Sequence, residues 1–131
     1  IDYEETKDDP ERHSIISGRI AEELGFDPEI VSAVKAHNEV HGFPRDTLMA
    51  KVLYSADPLT GLIVAAALIS PEKKLSAIDA DFVINRMKEK SFARGANRDI
   101  IMACSEFGMS LERFIELGLE AMQGIHKELG L

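Results

Sequence analysis

Three side chains with metal-ligand chemistry stand where helical spacing points them inward. His13 lies three residues before Ile16, which opens the apolar series Ile16, Ile20, Leu24. His37 extends the series Ile30, Val34 in the same way, because residues three and four apart share a helix face. Asp57 sits among Leu53, Tyr54, Ala56, Leu59, Leu62 and Ile63. A carboxylate desolvated there costs several kcal/mol unless a cation or several donors meet it. Imidazole nitrogen and carboxylate oxygen are ligands for Mn, Fe, Mg, Zn or Ni, so one divalent cation would account for all three inward groups. The plainer alternatives are a hydrogen-bonded core histidine at each of His13 and His37, and a helix cap at Asp57, which precedes Pro58. The spacing of His37 and His41 could also chelate zinc.

The elements that must carry these residues are helices. N-cap oxygens precede proline at Asp9-Pro10, Asp27-Pro28, Asp57-Pro58 and Ser70-Pro71, a pairing that suits a helix start. The pattern predicts an all-α bundle of about six helices: 10–24, 28–41, 47–69 (bent at Pro58), 81–90, 98–107 and 111–129. The run from Leu59 to Ile69 is eleven residues, about half of the roughly 20 that span a bilayer, and reads as a buried core helix. At 131 residues the chain suits one domain with a real core.

Charge and composition narrow the partners. The formal net charge is −8, which disfavours nucleic acid as a scaffold but not a phosphorylated small molecule. The lone Cys104 rules out an internal disulfide and suits a reducing cytoplasm. Neither a signal peptide nor a membrane anchor is visible. Cys104 lies among Ile100, Ile101 and Met102 and reads as buried and inert. Lys73, Lys74, Arg86, Lys88, Lys90, Arg94 and Arg98 form a basic stretch. Its plain role is a solvated face, and its functional one a phosphate-holding rim carried by Lys90 and Arg98. The stripe Leu111, Phe114, Ile115, Gly118, Met122, Ile125, Leu129 is core or a homodimer face.

The runs IDYEETKDDPERHS, AHNE, SADPLTGLIVAAALISPEKKL and NRMKEKSFARGANRD resemble the HD superfamily of metal-dependent phosphohydrolases, in particular a group of small bacterial predicted HD hydrolases. The likeness covers nearly the whole chain. It implies an HD-like helical bundle, a divalent metal cofactor, and hydrolysis of a nucleotide or similar phosphorylated metabolite by metal-activated water. Carried over, His13 and His37 resemble the family's additional histidines, and Asp57 its late aspartate, a metal ligand that also orients the water. Asn38 stands where some relatives have a second consecutive histidine. The defining His-Asp pair does not occur in these 131 residues; the resemblance places it directly ahead of Ile1, with Asp2 and Glu4 near the site. Without that pair the alternative is a non-catalytic helical module that senses or binds a partner. Oxygen chemistry at an iron pair, which the HD scaffold also hosts, has only the ligand types in its favour.

Overall fold

The structure, a computed structural model, describes residues 2–131, and Tyr3 by its backbone. Ile1, which opens the IDYE run, lies outside the described residues. Among those residues the fold is all-α, with eight α-helices and no strand. The chain divides into two compact units, Ile1–Tyr54 and Ser55–Leu131.

The first unit holds α1 (Tyr3–Thr6), α2 (Ile15–Glu23), α3 (Pro28–Ala36) and the opening turns of α4 (Leu48–Ile69). Of the four proline starts, Asp27-Pro28 does what its chemistry predicts. Asp27 Oδ1 accepts the Glu29 N–H at 2.8 Å and Pro28 fills the first helical position. Asp9-Pro10 leads into turns, and α2 begins only after Ser14, whose φ of 72° lies in the left-handed region that interrupts a right-handed helix. His13 therefore precedes the helix that its spacing suggested. At the other end α3 stops at Ala36 instead of running to His41. Asn38 turns extended, and a 3-10 turn at Glu39–His41 closes on Gly42 at φ 64°. Small residues let α2 and α3 approach: Ser17, Gly18 and Ala21 are buried on one, Val31, Ala33 and Ala36 on the other. A Cβ on Gly18 would run into the Lys35 side chain, which would have to move.

The second unit takes the rest of α4 with α5 (Ala80–Lys88), α6 (Arg98–Met102), α7 (Leu111–Gly124) and α8 (His126–Leu129). Its core is built on Leu59, Leu62, Ile63, Ala66 and Ala67 of α4, packed with Leu75, Val83, Ile101, Phe114 and Ile115. Asp79, Asn97 and Ser110 cap α5, α6 and α7 by accepting N–H groups of their first turns. At Ser70-Pro71 the Ser70 hydroxyl accepts the Lys73 N–H, closing a turn rather than starting a helix.

Asp57 and Pro58 lie inside α4, which continues through the proline. The core positions recur at 59, 62, 63, 66 and 67, leaving Asp57, Gly61 and Leu68 on the outward strip, where all three are exposed. The expectation of a desolvated Asp57 is therefore corrected: helical phase turns it outward, although its neighbours in sequence are apolar. At 22 residues, with a mean hydropathy of 1.8 over an 18-residue window, α4 is long and apolar enough to cross a membrane by length and composition. Its apolar face is instead the centre of the second unit's core, as in the core helix of a folded domain.

Candidate functional site

The polar centre of the first unit is a chain of side chains running from Asp2 through His13 to His37. It starts with a carboxylate that is only 1% exposed. Asp2 Oδ2 accepts the backbone N–H groups of Ser14 at 2.9 Å and Ser17 at 3.0 Å. It thus caps α2 from a distance, where no residue beside the helix does so. The Asp2 N–H donates to the Ser17 hydroxyl at 3.2 Å, and the Thr6 hydroxyl donates to the Asp2 carbonyl at 2.7 Å. Burial pushes the Asp2 carboxyl up, but the Ser17 backbone and side chain, the neighbouring His13 and the Ser14 N–H together outweigh it. The net result is a carboxyl held below its ordinary value, a case of hydrogen bonds to the charged form winning over desolvation.

Asp2 Oδ1 lies 3.0 Å from His13 Nδ1, and the ionised carboxylate can only accept, so His13 Nδ1 carries a hydrogen. His37 is fixed the same way. Its Nδ1 is 2.6 Å from the Val34 carbonyl, which also only accepts. With both Nδ1 atoms spent as donors, the two Nε2 atoms face each other 3.2 Å apart, the rings nearly perpendicular at 88°. In two neutral rings both Nε2 atoms present lone pairs, so the contact is repulsive unless a proton or a cation lies between them.

Tested against a divalent cation, the pair fits as far as it goes. Two nitrogens each about 2.0–2.1 Å from one ion sit about 2.9–3.4 Å apart, which brackets the observed separation. A ring whose other N–H is held by a carboxylate or backbone carbonyl is the usual setting of a metal-binding histidine. Among the described residues, however, no group of three or more His, Cys, Asp or Glu side chains is arranged to hold a metal ion. His41 does not join: its Nε2 donates to the His13 carbonyl at 2.8 Å. Asn38 Nδ2 donates to the same carbonyl at 3.2 Å and to that of Pro10 at 2.9 Å. Both residues pin the His13 loop to the end of α3, and zinc chelation by His37 and His41 has no geometric support.

The basic residues singled out from sequence belong to the second unit, where each has a distinct position. Arg98 is spent on its own loop. Its Nη1 donates to the carbonyls of Ala93 and Ala96 at 2.6 and 2.7 Å, and its Nη2 to that of Phe92, with longer contacts to Glu89 and Arg86. The guanidinium fork is thereby closed to a phosphate, and its work is to hold the segment between α5 and α6. Lys90 is exposed. Sequence reasoning put Asp2 near the site without a role, and it missed Thr6, Ser14 and Ser17. No local pattern announces a cap supplied from twelve residues away. Cys104 is buried, 1% exposed, and burial pushes its thiol up, as an inert core cysteine requires.

Comparison with models of known families, with curated proteins and with solved structures finds no match to this chain.

Proposed function

We propose that the chain is a metal-dependent phosphohydrolase of HD type, acting on a nucleotide or other phosphorylated small molecule. The observation that supports it best is the facing His13 and His37 Nε2 pair, with both Nδ1 atoms held by acceptors. In this reading His13 and His37 supply two imidazole ligands and Asp2 fixes the His13 ring and its tautomer. Asp57 enters from the sequence resemblance alone, its exposed carboxylate accessible to an ion. A divalent cation held by the two imidazoles would supply acidified water and charge neutralisation for a phosphoryl group. The protein's own part is to present two imidazoles, each oriented by the acceptor at its Nδ1. Isothermal titration of the purified chain with Mn²⁺, Zn²⁺ or Ni²⁺ tests the ligand assignment. His37→Ala and His13→Ala are expected to abolish the binding, and Asp2→Asn to weaken it about 10–100-fold. Equal affinity in His37→Ala and the parent overturns it. A phosphoester panel on the protein, beside Asp57→Ala, tests the reaction.

The absence of a third ligand among the described residues favours a second reading, a non-catalytic helical module. In that case Nε2 of one ring donates to the other, and the pair is a structural strut. No cation binding and no phosphoester turnover would establish it in place of the first.

A further inference from the structure

The second unit contains a cleft of about 860 Å³, a volume in the range of small-molecule sites. It is built from the turn between α5 and α6 and the adjoining ends of α5, α6 and α7. The lining is of two kinds. Ile84, Met87, Met102 and Leu111 give an apolar wall; Lys90 and Arg94 bring two cations. Met102 is 46% exposed, a large apolar side chain open to water on the α6 side of the cleft.

Among the described residues, Lys90 and Arg94 share their unpaired state with Lys7, Arg12, Lys51, Lys73, Lys74 and Lys127, and what sets these two apart is that they stand together in a cleft. The chain carries a formal charge of −8, so acidic partners are in excess. Yet among the described residues neither Lys90 nor Arg94 has an ion pair or a side-chain hydrogen bond. The neighbouring Lys88 reaches only the neutral Asn85 at 3.3 Å. Asp99 and Glu112 also line the cleft and pair with none of these cations. The loop bearing Lys90 and Arg94 is not loose. Arg98 grips its carbonyls, and Ala93 is held at φ 43°, a conformation that costs about 1–3 kcal/mol and persists only where surroundings impose it. Unpaired cations on a braced loop beside an apolar wall match a ligand with an anionic head and an apolar body.

We propose that this cleft binds an amphipathic phosphate, its apolar body against Ile84, Met87, Met102 and Leu111 and its dianionic head on Lys90 and Arg94. The site stands on the second unit alone and needs no metal, so it does not rest on the hydrolase reading.

The probe is decyl phosphate below its micelle concentration, with decanol and inorganic phosphate as the two halves of the ligand. Carbon-13 methyl spectra of the methionines locate binding, because Met87 and Met102 both line the cleft. Decyl phosphate should shift the Met87 and Met102 methyls in a saturable way, at least 10-fold more tightly than either half-ligand. The double variant Lys90→Glu/Arg94→Glu should weaken it at least 10-fold. A control of equal net charge, Lys7→Glu/Lys127→Glu, should leave it unchanged. Both variants alter exposed side chains, and a retained circular dichroism spectrum confirms folding. Three results would overturn the proposal: no shift at Met87 and Met102, decanol binding as tightly as decyl phosphate, or equal weakening in the two double variants.

Discussion

The two units of this chain bury opposite kinds of matter. In Ser55–Leu131 the interior is large and aliphatic, with Leu59, Leu62, Ile63, Leu75, Ile101 and Ile115 all nearly inaccessible. Among the described residues of Ile1–Tyr54 the buried hydrophobics are Ala21, Val31, Ala33, Ala36 and Ala50, and beside them are buried Asp2, Thr6, Ser14 and Ser17. Burial of aliphatic side chains is worth about 25 cal/mol per Å² and has no direction. A buried polar group stabilises only when every partner is in place, and then it fixes geometry. One unit therefore has the substance of a scaffold, and the other the rigidity to hold two imidazole Nε2 atoms against each other.

The contrast is broken most severely in the aliphatic unit. Ile115→Ala removes a fully buried side chain and should cost about 2–5 kcal/mol of unfolding free energy, read from denaturant midpoints. The loss should be independent of pH, since no titratable group is involved.

Asp2→Asn is the corresponding lesion in the polar unit. It keeps the shape but removes the charge that meets two N–H groups and His13, and should cost about 1.5–3 kcal/mol at neutral pH. Its signature is pH dependence. Because the folded carboxyl is held below its ordinary value, its stabilisation is complete above the unfolded value of about 3.9. It is lost as the pH falls through the lower folded value. The parent should therefore lose more stability than Asp2→Asn between pH 5 and the acid limit, measured with chelator present. Parallel pH profiles would show that the carboxylate is not held as described.

Much of the scaffold could be read from the chain. The apolar stripe expected from Leu111 to Leu129 delivers Phe114, Ile115 and Met122 to the interior, whereas its Ile125 and Leu129 are exposed and Leu119, outside the stripe, is buried. The all-α class followed from the same regularity. What misled was reading burial from neighbours in sequence. Asp57 has apolar residues on both sides, yet α4 turns it outward because its phase belongs with Gly61 and Leu68. His13 and His37 were placed on helix faces, whereas they sit just outside helix ends, where one loop residue sets the direction of a ring. The cap from Asp2 to α2 joins residues 12 and 15 positions apart, and such a bond leaves no periodic trace.

A smaller effect tests how tightly the aliphatic unit is fitted. A Cβ added to Gly118 would meet Leu59 Cδ2 at 3.1 Å and Ile63 Cδ1 at 3.3 Å. Gly118→Ala gains about 0.5–1 kcal/mol of helix propensity and loses about 1–3 kcal/mol to overpacking. The expected net loss is about 1 kcal/mol, visible as a lower denaturant midpoint with an unchanged slope.

The smallest effect concerns Cys104, and it separates the two interiors by rate instead of free energy. The thiol is packed in the aliphatic core and burial pushes its ionisation up, and a thiol reacts through its thiolate. Alkylation at neutral pH should therefore be negligible in the native protein and proceed only when the second unit opens. Adding Ile115→Ala should accelerate labelling in proportion to the stability lost, while Asp2→Asn, which loosens only the polar network, should leave the rate unchanged. If Asp2→Asn accelerated labelling as much as Ile115→Ala, the two interiors would be opening together, and the division between a stabilising core and an orienting one would have to be abandoned.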